Sequence, residues 1–282
     1  MLELSLIIIS LVILVIAAYV DIRTLEVPDW LNYAGIAAGI GIHLIFSLQQ
    51  WNWWPITSSG IGLLIGFALA SLMFYTGQWG GGDAKLLMAM GAIIGFEPSK
   101  FYLGTNFLIN LVFVGGVWGV LWSAGLAVKN RKKFWQTFRI IMHQKPYARL
   151  RIMSLISATI LIITSFIMKE YGFGLILLAA ITYLLCYLCI FIKSVELSGM
   201  HKWITPDKLT EGDWLVHAIK SGKTKIVPSK LGLEKEQVRA IQKLYKQKKI
   251  DKVLVKYGIP FTPAFLFAFI IGLFGNIVFL IL

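Results

Sequence analysis

Apolar runs of close to 20 residues recur along this chain, at 2–20, 31–48, 56–76, 103–128, 152–168, 173–192 and 264–282. A hydrocarbon layer about 30 Å thick takes about 20 helical residues to cross. Inside such a layer the backbone has no water to bond, so each run is confined to an α-helix. With 57% hydrophobic residues and a mean hydropathy of +0.75, the 282-residue chain is too apolar for a soluble domain of its size. The first run follows Glu3 in place of a basic stretch and lacks a small-residue cleavage site after it, so it is expected to stay as a permanent helix.

Residues 83–96 form a weaker eighth segment. Fourteen residues make about 21 Å of helix, short for a span, and charge settles the expectation. If 83–96 crosses, Arg23, Lys85, the loop 129–151 and the region 193–256 share one side, which then holds 25 of the 27 Lys and Arg. Basic residues collect on the cytoplasmic side, and a short helix is met by local thinning of the bilayer. The fold class expected is an all-α polytopic membrane protein of about eight transmembrane helices, its N-terminus outside the cell membrane. The same rule accounts for the net charge of +13, with no nucleic acid expected.

Between the runs, Trp51, Trp53 and Trp54 mark a headgroup boundary. The loop 129–151 has eight basic and no acidic residues, interleaved with Phe134, Trp135, Phe138 and Ile140. That composition fits a helix on anionic membrane lipids. Region 193–258 is the one sizeable polar stretch. It reads as a small α+β cytoplasmic insert, with a helix over 231–249 and strands at 225–227 and 252–256. The organisation expected is a membrane core over 1–192, the insert over 193–258 and a C-terminal transmembrane helix over 259–282. Cys186 and Cys189 have a CxxC spacing but lie inside an apolar run with no second ligand pair, so they read as small packing residues. Spacings Gly35/Gly39, Gly62/Gly66 and Gly115/Gly119 place small residues one turn apart, which permits close helix contact.

Chemistry concentrates where acidic residues meet apolar runs. Asp21 ends the first run, and Asp83 heads the weak segment after Gly80-Gly81-Gly82. An ionisable residue at the edge of a span is a functional candidate whose partner should be sought. Two carboxylates brought within a few ångströms cannot both ionise cheaply, so they share a proton. One can then take a proton from water while the other hydrogen-bonds a scissile carbonyl. That chemistry needs no metal or cofactor, and His43, His143, His201 and His217 are scattered. Read singly, Asp21 could be a wetted helix end beside Arg23, and the glycines an interhelical turn.

Asp21 followed by Val27-Pro28-Asp29, then Gly80-Gly81-Gly82-Asp83-Ala84-Lys85-Leu86-Leu87, resembles the type IV prepilin peptidases, a family of GxGD aspartic proteases. The archaeal preflagellin/prepilin branch fits best. The resemblance covers residues 1–128 well and the remainder more loosely. It implies that Asp21 and Asp83 are the catalytic aspartates, that Gly80 and Gly82 are the motif glycines, and that Lys85 is the lysine after them. The implied activity is removal of a short basic class III signal peptide from archaellin or pilin-like precursors at the cytoplasmic membrane face. Bacterial members often carry a zinc-binding insert and methylate their product; this chain lacks that insert and its cysteines, so no methylation is expected. Glu26 and Asp29 are candidates to hold basic residues of the substrate, Asp29 being equally suited to cap the second helix. Presenilin-like proteases share GxGD, and Pro263-Ala264-Phe265 resembles their PAL motif, but their first aspartate follows several helices. A transporter with intramembrane carboxylates and a membrane anchor for the basic region are the non-protease alternatives.

Overall fold

The computed structural model describes residues 2–97, 103–221, 224–229, 231–275 and 277. The first helices are α1 (Leu2–Thr24), α2 (Asp29–Gln50), α3 (Trp54–Tyr75), α4 (Gly81–Ile94) and α5 (Leu103–Lys129). Then come α6 (Arg131–His143), α7 (Lys145–Ile167) and α8 (Gly172–Val195). The polar region holds β1 (His201–Ile204), β2 (Trp214–Leu215), β3 (Ile219–Ser221), β4 (Thr224–Ile226), α9 (Lys235–Lys246) and β5 (Val253–Lys256). The helix α10 (Thr262–Gly272) follows. Among the described residues six helices are long and apolar enough to cross a membrane, namely α1, α2, α3, α5, α7 and the stretch containing α8. This is a multi-pass membrane protein. The expectation of about eight spans meets two shorter helices, α4 with 14 residues and α10 with 11. Most of 276–282, the end of the expected last span, lies outside the described residues.

The chain forms two compact units, one of Met1–Gly119 with Trp203–Leu282 and one of Val120–Lys202. Most of the first is organised around α4. Leu86, Leu87, Ala89, Met90, Ala92 and Ile93 on that helix are all buried. Two of the three glycine pairs expected to permit close contact, Gly35/Gly39 and Gly62/Gly66, grip it; of the third, Gly115 faces the Phe261 ring and a Cβ at Gly119 would meet nothing within 4 Å. A Cβ at Gly39 would fall 2.7 Å from the Ile93 nitrogen, and one at Gly66 would fall 2.9 Å from the Leu87 carbonyl oxygen. Gly62 packs directly on Gly91. The last carbonyls of a helix have no partner within it, and here neighbouring helices supply them. Ser59 Oγ donates to the Ala92 carbonyl at 2.7 Å, and His43 Nε2 lies 3.0 Å from the Ile93 carbonyl. A short helix can therefore end among apolar neighbours with its backbone satisfied.

The polar region has its own core of Leu209, Leu215, Ile226, Leu233, Val238, Ile241, Val253 and Val255. A three-stranded sheet in the order β1-β5-β2 and a β3-β4 hairpin carry it. The helix expected over 231–249 is shorter, because Gly232 takes φ +85° and Glu234 opens the helix in a capping box with Gln237. The second unit packs α6 and α7 on α8, with Ile141, Cys186 and Ile190 at its centre. Phe134 is buried while Trp135 and Ile140 on the same basic helix are exposed.

Candidate active site

Asp21 lies in the last turn of α1 and is 4% exposed. The helix then stops at Leu25, whose φ of 60° is left-handed and whose N–H reaches the Asp21 carbonyl at 2.8 Å. The chain turns through Val27 and Pro28 into α2. Pro28, with ψ of 136°, is the cap of that helix, and Asp29 is its first residue. The expected cap at Asp29 is thus displaced by one position, since Pro28 holds the extended conformation that precedes a helix while its carbonyl accepts from Leu31 N–H at 3.1 Å. Asp29 instead accepts from Lys85 Nζ at 2.6 Å.

Asp83 is placed by the glycines before it. Gly80 caps α4, so Asp83 is the third residue of the helix and its carboxylate faces back toward the Gly80 N–H. An acid at this position faces the orphan donors and the positive end of the helix dipole. Gly82 lets α4 touch the loop after α1: an added Cβ would lie 3.1 Å from the Val27 nitrogen and 3.2 Å from its carbonyl oxygen. Asn32, fully buried on α2, donates from Nδ2 to the Gly82 carbonyl at 3.3 Å. One glycine and one asparagine thus fix the motif against the turn that carries Asp21.

The two carboxylates meet a common partner at the start of α10. The Thr262 N–H donates to Asp21 Oδ2 at 2.9 Å, and its hydroxyl lies 3.5 Å from Asp83 Oδ1. Thr262 and Asn32 are the site residues that sequence reasoning missed. The available signal for Thr262 was Pro263, which marks a helix start; nothing in the spacing says which carboxylates that start faces.

The remaining candidates lie nearby. The Lys85 ammonium is taken by Asp29 and stands 5.7 Å from the centre of the Tyr33 ring. Glu26, in the turn after α1, accepts from Thr210 Oγ1 of the polar region at 3.4 Å. Asp213 accepts the Thr210 N–H at 2.8 Å. Burial beneath this contact raises the Glu26 carboxyl above its ordinary range, and the Asp213 carboxylate raises it further.

Residues 8–122 of this chain match the type IV leader peptidase family, and the similar proteins below are archaeal. Its relatives include the preflagellin peptidase of Methanococcus voltae, 37% identical over 106 residues, or 38% of this chain and 45% of that one. The preflagellin peptidase of Methanococcus maripaludis is 30% identical over 36% of this chain and 44% of its own length. The prepilin peptidase EppA of Methanothermobacter thermautotrophicus is 29% identical over 38% of this chain and 29% of its own. The chain thus spans less than half the length of these relatives. No solved structure matches it.

Proposed function

We propose that this chain is a membrane aspartic endopeptidase in which Asp21 and Asp83 act as a dyad. Its substrates would be archaellin or type IV pilin-like precursors, cut between a short basic leader and the hydrophobic helix that follows. The observation that carries the reading is the convergence of the two carboxylates on Thr262, from helices far apart in sequence. One carboxylate takes a proton from a water as that water attacks the scissile carbon. The other donates its proton to the carbonyl oxygen. As the amide bond breaks, the first passes the proton it took to the departing amine and the second takes one back from a hydroxyl of the tetrahedral intermediate, so the dyad ends with one proton, as it began. Gly82 serves by letting α4 touch the turn after α1, and Gly80 by capping α4 beside Asp83. Lys85 serves by binding Asp29, which leaves Glu26 the better placed of the two acidic candidates for a basic leader residue.

The test is cleavage of precursors in membranes by wild type, Asp21→Asn and Asp83→Asn. Asparagine keeps the shape and removes the titrating group. Both variants should insert normally and lose more than about 100-fold in rate; wild-type cleavage by either one would end the dyad mechanism. In the same assay Glu26→Lys should raise KM for a basic leader and not for a neutralised one, and equal effects on both would remove Glu26 from recognition.

We propose that the aspartates lie at the cytoplasmic face of the cell membrane, a reading that the charge distribution supports. The basic helix α6, with Trp135 and Ile140 exposed, is proposed to rest on anionic lipids. Undiminished binding to anionic vesicles by a Lys132→Gln/Lys133→Gln variant would count against that part.

A further inference from the structure

Thr262 lies outside the region that matches the leader peptidase family, yet it is the residue that touches both aspartates. It is fully buried at the first position of α10. Its N–H, one of the orphan donors of a helix start, is spent on Asp21 Oδ2 at 2.9 Å. Its hydroxyl lies 3.5 Å from Asp83 Oδ1 and within range of Asp21 as well. One residue therefore holds one carboxylate by its backbone and the other by its side chain.

The residue is itself held firmly. Trp118 Nε1 donates to the Pro260 carbonyl at 2.8 Å. The Phe261 ring fits where Gly115 has no side chain; an added Cβ there would fall 2.6 Å from the ring. Phe261 also contacts Trp79, one residue before the glycine run, with ring centres 5.5 Å apart. Trp79 in turn packs on Phe265 at 5.4 Å. The start of α10 and the start of α4 are thus pinned to each other by aromatic packing. A β-branched side chain has few rotamers, so the backbone placement narrows where the hydroxyl can point. A hydroxyl both donates and accepts, and it can stay bonded to either carboxyl as a shared proton moves.

We infer that Thr262 is a positioning residue of the dyad, setting the separation and orientation of Asp21 and Asp83 through its N–H and its hydroxyl. The inference rests on the protease reading above, and the test separates the two. Thr262→Val keeps the shape and removes the hydroxyl; Thr262→Ser keeps the hydroxyl. Precursor cleavage by both is compared with wild type, Asp21→Asn and Asp83→Asn over a range of pH. Thr262→Val should lower kcat by about 10- to 100-fold, with KM within about twofold, because a hydrogen bond to a charged group is lost and substrate contacts are not. Its pH profile should shift, and Thr262→Ser should return kcat to within about threefold of wild type. Wild-type kcat and pH profile in Thr262→Val, with the two aspartate variants inactive, would overturn the role of Thr262 and leave the dyad standing. Equal loss in the Val and Ser variants would also overturn it, marking a packing role alone. Cleavage by the aspartate variants would remove the dyad and this inference together. Carbodiimide labelling of Asp21 and Asp83 against pH, read by mass spectrometry, gives a measurement that needs no substrate. A Thr262→Val labelling curve that overlays wild type refutes the inference.

Discussion

Glu26 and Asp213 show how a single residue contact can carry a pH signature. Both carboxyls are raised, Glu26 by burial and then by Asp213, and Asp213 by burial against the partial relief of the Thr210 N–H. Each therefore binds its proton more tightly in the folded chain than in the unfolded one. The stability they contribute is full below the ordinary carboxylate range of about 4 and is lost as pH rises through the raised values. After correction for intrinsic rates, amides around Thr210 should exchange faster at about pH 7 than at about pH 4, and Asp213→Asn should flatten that difference. An unchanged pH dependence in the variant would show that the signal arises elsewhere. Asp21 and Asp83 were legible in the sequence because a charge at the edge of an apolar run stands out on any hydropathy count. Thr262 and Asn32 were not, since a neutral hydroxyl or amide leaves no such mark and acts only through a contact more than 40 residues away.

Among the elements, α4 shows what periodicity can and cannot tell. Its glycine-paired neighbours were readable from spacing, and contact at Gly35, Gly39, Gly62 and Gly66 agrees with that reading. That both pairs clasp one 14-residue helix, and that Ser59 and His43 complete its carbonyls, was not readable, because spacing names a face and never its partner. The clasp gives a sharp comparison within α3. Gly62 packs directly on α4, whereas a Cβ at Gly60 would meet nothing within 4 Å. Gly62→Ala should destabilise by about 1–3 kcal/mol through overpacking, while Gly60→Ala should be neutral or stabilise by up to about 1 kcal/mol. Thermal unfolding in detergent separates the two, and equal midpoints would show that α3 shifts to absorb the methyl. Outside the helical bundle, the strands at 225–227 and 252–256 were anticipated, whereas β1, β2 and β3 were not: β1 and β2 are short segments stabilised by pairing with the distant β5, and β3 is three residues paired with β4 in a hairpin.

For the molecule as a whole, the sequence order of segments and their spatial grouping differ. Trp203–Leu282 joins Met1–Gly119 in one unit while Val120–Lys202 forms another, an interleaving that hydropathy along the chain cannot reveal. The orientation proposed from charge has a direct check. In a variant lacking Cys186 and Cys189, a cysteine at Gln50 should react with an impermeant maleimide on intact cells, and one at Lys246 only after permeabilisation. The reverse pattern would turn the protein over and put the aspartates on the outer face. The placing of Thr262 also bears on how such an enzyme is born. A growing chain carries Asp21 and Asp83 into the bilayer long before residue 262 leaves the ribosome. On the reading proposed here, both acids wait without their common anchor until α10 docks.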